Sequence, residues 1–240
     1  MQILLVQPDA TVPLLRLEQP WTEAGIGLCT VRPYAGDPVP ASPAEVGADA
    51  LVVLGGEMAP DDDAAYPWLA DVRALQRRAH DDGVPQLGIC LGGQLLGYAL
   101  GGAVGRGASG REAGVVDLRL THAAADDALL GGLPDPLPMP SMHADEVSAL
   151  PEGAVLLGET DRYPHQAFRC GDTSWGLQFH PEVTPEVFAR WAAGYGMEAE
   201  GAELAGRDAE VHALTLQVAA RFAAVVRRSA AAAPATPASA

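Results

Sequence analysis

The chain has 240 residues, 48% of them apolar and 5% aromatic, which suits one α/β domain with an aliphatic core and leaves no room for two sizeable domains. Its formal net charge is −16 and all 15 basic residues are arginine, a balance that argues against a nucleic-acid or anionic-membrane surface. Three widely spaced cysteines, Cys29, Cys90 and Cys170, fit the reducing cytoplasm and neither a disulfide framework nor a metal site, and no apolar run reaches the length of a bilayer span.

Met1-Gln2-Ile3-Leu4-Leu5-Val6 lacks a charged start and a cleavage site, so it reads as a first, buried strand rather than a signal peptide. Residues 12–24 follow as a first helix. Gly27-Leu28-Cys29-Thr30-Val31 follows as a second strand with Cys29 in the core, and residues 33–43 as loop. A third strand, Ala48-Asp49-Ala50-Leu51-Val52-Val53-Leu54, ends in Gly55-Gly56. Paired glycines at a strand's C-terminal end let backbone N–H groups come close to a ligand, and in open parallel sheets ligands bind at that edge. Asp61-Asp62-Asp63 reads as a helix cap and solvated turn rather than a metal site. An amphipathic helix over residues 66–80 then ends on His80.

The next stretch organises the rest. The run Val84-Pro85-Gln86-Leu87 leads directly into Gly88-Ile89-Cys90-Leu91-Gly92-Gly93-Gln94 and a helical segment over residues 95–100. A cysteine at a strand-to-helix junction, with glycine two residues to either side, has the form of a nucleophile elbow with sulfur in place of oxygen. Side chains at the flanking positions would collide with neighbouring backbone, and the helix N-terminus favours thiolate over thiol. Taken alone, the stretch fits a buried structural cysteine equally well.

After Gly101-Gly102 the alternation of strand and helix gives way to shorter, partly antiparallel strands at residues 103–104, 114–120, 155–157 and 166–169. His122 and His165 read as surface loop residues, and Cys170 as part of a turn. The run Thr173-Ser174-Trp175-Gly176-Leu177-Gln178-Phe179 enters His180-Pro181-Glu182. Thr184 with Pro185-Glu186 then starts a helix ending near residue 193. If the strand stays extended through the tripeptide, His180 and Glu182 point to one side. Glu182 then fixes the tautomer of His180, leaving its other nitrogen to Cys90, as in a nucleophile–base–orienter triad. The expected architecture is α/β: a doubly wound, mostly parallel central sheet with flanking helices and a smaller antiparallel region over residues 1–200. A C-terminal helix over 201–228 packs on it, and a disordered Ala/Pro tail runs over 229–240.

These pieces together resemble a class I, triad-type glutamine amidotransferase, of the stand-alone kind similar to GMP synthase glutaminase domains. The matching segments are the elbow, Gly55-Gly56, Met142-His143-Ala144-Asp145-Glu146-Val147 and Phe179-His180-Pro181-Glu182, in the family's order over roughly residues 3–193. The resemblance implies a flavodoxin-like fold and an enzyme without cofactor or metal. Cys90 attacks the side-chain amide of L-glutamine, His180 moves the proton, and Glu182 holds His180. It implies an oxyanion hole at the N–H groups of Gly56 and Leu91, beside Gly55, with Gln94 and the segment around His143 holding the substrate. Ammonia then passes to an acceptor or a separate synthetase partner. The alternatives are a γ-glutamyl peptide or amide hydrolase with the same triad, and a non-catalytic regulatory relative. Two positions depart from the family pattern: Glu57 stands where proline or glycine is usual, and Ala144 where glycine is common.

Overall fold

A computed structural model describes residues 1–232. The chain runs β1 (Gln2–Val6), α1 (Glu18–Glu23), β2 (Gly27–Val31), β3 (Ala50–Val53), α2 (Trp68–Asp81), β4 (Gln86–Ile89) and α3 (Leu91–Ala99). It continues through β5 (Ala103–Arg106), β6 (Glu112–Leu120), β7 (Leu137–His143), β8 (Asp145–Ala149), β9 (Val155–Glu159), β10 (Ala167–Cys170) and β11 (Ser174–Leu177), and ends in α4 (Pro185–Gly194) and α5 (Glu198–Ala232).

Nine strands form one sheet in the order β2-β1-β3-β4-β11-β10-β9-β6-β7, and β5 pairs with β8 apart from it. The five strands from β2 to β11 are parallel, and the four beyond are antiparallel. Alternation along β1 explains why helices cover both faces. Ile3 and Leu5 pack on one side with Trp21, Val218 and Phe222, while Leu4 and Val6 pack on the other with Leu69, Val72 and Leu91. Each such side chain, buried completely, contributes about 1.5–3 kcal/mol. Because β1 lies between β2 and β3, the chain leaves it in opposite directions, and a crevice opens at the C-terminal ends of β1 and β3. The candidate site residues gather there.

Several local expectations change. The first helix is shorter than expected: a 3-10 turn at Leu15–Leu17 precedes α1, and Pro13 and Pro20 bracket the region. The acidic run does not cap α2, whose N-cap is Pro67 without a side-chain bond; Asp62 instead accepts from the Ala65 N–H and Asp63 pairs with Arg73. Cys29 is only half-buried, because β2 is the sheet edge, and Cys170 ends a strand rather than lying in a turn. His165 has a partner, the Val147 carbonyl at 2.7 Å.

The final helix extends beyond the expected segment at both ends. Residues 229–232 continue α5, and the remainder of the expected tail, 233–240, lies outside the described residues. The helix also corrects the reading that no segment is apolar enough to span a bilayer. Its alanines lift an 18-residue window to a mean hydropathy of 1.3, yet half of that window is buried inside the molecule. Leu214, Val218, Phe222 and Val226 pack into the core, and Ala219 offers its carbonyl to the indole N–H of Trp21 at 3.0 Å. By packing, α5 is a core helix.

Candidate functional site

Cys90 joins β4 to α3 with φ 51° and ψ −109°, a region that costs a residue with a Cβ about 1–3 kcal/mol. The surroundings hold it there: its N–H donates to the Leu177 carbonyl at 2.7 Å, and its carbonyl accepts from the Gln94 N–H at 2.9 Å. The flanking glycines are required by contact. A Cβ on Gly88 would lie 2.3 Å from the Gly92 carbonyl oxygen, and one on Gly92 would lie 2.0 Å from that of Val53. The strand and helix can approach this closely only without those side chains.

His180 and Glu182 do come together, but not on an extended strand. Strand β11 ends at Leu177, and His180-Pro181-Glu182 forms a turn, with the Val183 N–H reaching the His180 carbonyl at 3.4 Å. The turn folds Glu182 back so that Oε1 lies 2.7 Å from His180 Nδ1, with both residues buried. Three neighbours fix it. The His180 N–H donates to the Pro140 carbonyl at 2.7 Å, Thr215 of α5 donates to the Pro181 carbonyl at 2.8 Å, and the Trp191 ring of α4 packs edge-on against His180. Helix α4 starts on the Thr184 cap, which accepts from the Val187 N–H. Burial pushes the His180 imidazole toward its neutral form; the charges of Glu182 and Cys90, and hydrogen bonds to both, outweigh it and raise the pKa to about 10.

Gly55 lies between these groups: a Cβ there would sit 3.0 Å from His180 Cε1 and 3.4 Å from Cys90 Cβ. Gly56 packs on Leu91 in the same way. Among the described residues, the N–H groups of Gly56 and Leu91 make no hydrogen bond. Cys90, His180, Gly56, Gln94 and His143 line one cavity of about 90 Å³, with Arg106, Arg111, Glu57 and Tyr195 at its walls. Tyr195 donates to Glu57 Oε1 at 3.0 Å, and Arg111 lies over the Tyr195 ring at 3.5 Å. His143 faces protein with both ring nitrogens: Nδ1 meets the Asp145 carbonyl at 3.0 Å and Nε2 meets Glu112 Oε2 at 3.1 Å. Burial drives the Glu112 carboxyl upward, but hydrogen bonds from His143, Gln166 and Thr160 and the charge of His143 hold it below the ordinary range. All three cysteines are free thiols. Among the described residues, no three His, Cys, Asp or Glu side chains are grouped to hold a metal ion.

The comparison with known sequences decides the family. The model of the class-I glutamine amidotransferase family matches residues 21–191, well over half of the chain. The chain belongs to this family. Among curated relatives, a glutamine-hydrolyzing GMP synthase subunit from Halobacterium salinarum is 38% identical over 144 residues, covering 59% of this chain and 70% of that protein. The glutamine-hydrolyzing GMP synthase of Lactococcus lactis subsp. cremoris is 34% identical over 144 residues, 60% of this chain but only 26% of that longer protein. Among solved structures, a glutamine amidotransferase from Methylobacillus flagellatus superposes with a TM-score of 0.82 at 27% identity, over 92% of this chain and 93% of that one.

As a class-I glutamine amidotransferase, the chain shows what its two sequence departures do. Glu57 is exposed, its N–H reaches Asp9 Oδ2 at 3.4 Å, and its carboxylate holds Tyr195 at the cavity wall. Ala144 is buried, and its carbonyl accepts from the Gly107 N–H at 2.8 Å. Sequence reasoning missed Gln178, whose Nε2 lies 3.6 Å from the Cys90 sulfur, and Glu112 beneath His143. The signal for Gln178 was a lone amide between the apolar residues Leu177 and Phe179 at the end of a buried strand. Glu112 gave none, since one carboxylate at a strand start is ordinarily solvated.

Proposed function

We propose that the chain hydrolyses the side-chain amide of L-glutamine, with Cys90 as nucleophile, His180 as proton carrier and Glu182 as its orienting partner. The thiolate sulfur attacks the amide carbon, and the C=O electron pair moves onto oxygen, where the N–H groups of Gly56 and Leu91 receive it. His180 gives its proton to the nitrogen, the C–N bond breaks, and ammonia leaves behind a γ-glutamyl thioester on Cys90. Water then gives a proton to His180 and its oxygen to the acyl carbon, releasing glutamate and the sulfur. The arrangement that carries this reading is the Cys90 sulfur at the elbow beside a buried His180 bonded to Glu182 at 2.7 Å, both Cys90 and His180 opening on a cavity that Gly56 also lines.

Glutamine is preferred to a γ-glutamyl peptide as substrate because the chain matches the class-I glutamine amidotransferase family and a glutamine-hydrolyzing relative. The complete triad speaks against a non-catalytic role. Since one relative is a subunit of a GMP synthase, we take the ammonia to serve a separate acceptor-activating partner. Assay of ammonia and glutamate release from L-glutamine, with Cys90→Ala as control, tests this. Cysteine-dependent release of both in equal amounts is expected. Release from γ-glutamyl peptides but not from glutamine would instead establish the peptide hydrolase.

A further inference from the structure

A continuous series of polar contacts reaches the Cys90 sulfur by a route that does not involve His180. It begins at the Asp145 carbonyl, which can only accept, and which receives the Gln94 side-chain Nε2 at 2.8 Å. That bond fixes which end of the Gln94 amide is nitrogen. The same nitrogen lies 3.1 Å from Gln178 Oε1, so the Gln178 amide is fixed in turn, with its own nitrogen 3.6 Å from the sulfur. The polarity therefore runs one way, and the sulfur ends the series as an acceptor. Both glutamine side chains are buried, and the Gln178 backbone N–H is tied to the Gln166 carbonyl at 2.8 Å, so the amide has little freedom to turn away. The Met142 carbonyl, 4.0 Å from the sulfur, is itself an acceptor and offers nothing to a thiolate.

We propose that Gln178 is a positioning residue for the nucleophile: its amide N–H, oriented by Gln94, holds the Cys90 sulfur and favours its thiolate. The assignment rests on the reading of Cys90 as nucleophile, but the alkylation midpoint that tests it is read without glutamine. Once the sulfur is acylated it is a poor acceptor, so the bond acts on the resting thiolate and not on the thioester. The ionisable groups around the sulfur are His180 with Glu182 behind it, and, around the cavity, His143, Asp145, Glu57, Arg106 and Arg111. The substitution alters none of them.

The experiment is the pH dependence of Cys90 alkylation by iodoacetamide in wild type, Gln178→Met and Gln178→Glu, alongside kcat and KM for glutamine. Methionine keeps the length and removes the donor, whereas glutamate puts an acceptor against the sulfur. The midpoint of alkylation is expected to rise by about one pH unit in Gln178→Met, the shift that follows loss of one charge-assisted hydrogen bond, and further in Gln178→Glu. The plateau rate at high pH is expected to be undiminished, and kcat at neutral pH to fall about tenfold with KM little changed. Should Gln178→Met unfold, Gln94→Leu, which removes the donor that orients Gln178 without adding an acceptor, is expected to move the midpoint in the same direction by less. Folded variants with the wild-type midpoint would overturn the assignment. A shifted midpoint in a protein that does not turn over glutamine would support Gln178 and refute the glutaminase reading alone.

Discussion

Replacing Gly92 by alanine tests whether the elbow's shape is dictated by contact. The added Cβ would lie 2.0 Å from the Val53 carbonyl oxygen and 2.7 Å from its carbon, both backbone atoms of a central strand. Real Cβ atoms essentially never come within 3.0 Å, so β3 and α3 must separate by about an ångström. Overpacking of this kind costs about 1–3 kcal/mol and more when backbone must move, offset by about 1 kcal/mol of helix propensity. Because the clash is with backbone the upper end applies, and about 3 kcal/mol less about 1 leaves a net loss of about 2 kcal/mol, a fall of roughly 4–8 °C in Tm for a chain of this size. The assay is urea and thermal unfolding beside the same change at Gly206, also within a helix but with nothing within 4 Å of its Cβ. Gly206→Ala is expected to stabilise by about 1 kcal/mol. If Gly92→Ala were as stable as wild type, the claim that the glycine exists to let strand and helix touch would be wrong.

The remaining predictions concern the site and its supports. Glu182→Gln is expected to lower kcat by about 10²–10⁴-fold, because His180 stays but loses its orienting charge. The same loss lowers the His180 pKa from about 10, so the alkaline limb of the pH–rate profile moves to lower pH. Thr215→Val removes the bond from α5 to the Pro181 carbonyl and is expected to cost about 1 kcal/mol in urea unfolding. Glu112→Gln weakens the hydrogen bonds that the Glu112 carboxylate accepts from His143, Thr160 and Gln166 and is expected to cost about 1.5–3 kcal/mol. The folded pKa of Glu112 is depressed, so its contribution is present above its unfolded value of 4.5 and is lost as pH falls further. Wild type is therefore expected to lose stability more steeply than Glu112→Gln on acidification below that value, as stability curves against pH would show.

The sequence was most legible where chemistry constrains the backbone. Gly88 and Gly92 are legible because a strand and a helix meeting this closely around Cys90 leave no room for a Cβ at either glycine, and Gly55-Gly56 because paired glycines end a buried strand. His180 and Glu182 meet across a turn and not on an extended strand, and two residues apart in sequence come into reach in either conformation. Strand β7 escaped notice because Pro138 and Pro140 look like breakers. They are tolerated because β7 lies at the sheet's edge, paired only to β6, where a missing N–H breaks no second ladder. The contacts that run from Gln94 through Gln178 to the Cys90 sulfur, and the bond from His143 to Glu112, join residues far apart in sequence. No local pattern records such contacts.

The central claim is that Cys90 carries the glutamyl group during turnover. Rapid acid quench of the protein during reaction with L-glutamine, followed by mass spectrometry of its peptides, addresses this directly. The expected result is a mass gain of one glutamyl group on the peptide containing Cys90, labile to hydroxylamine and absent from Cys90→Ala. Glutamine turnover by Cys90→Ala at the wild-type rate, with no acyl group on Cys90 in the wild type, would contradict it.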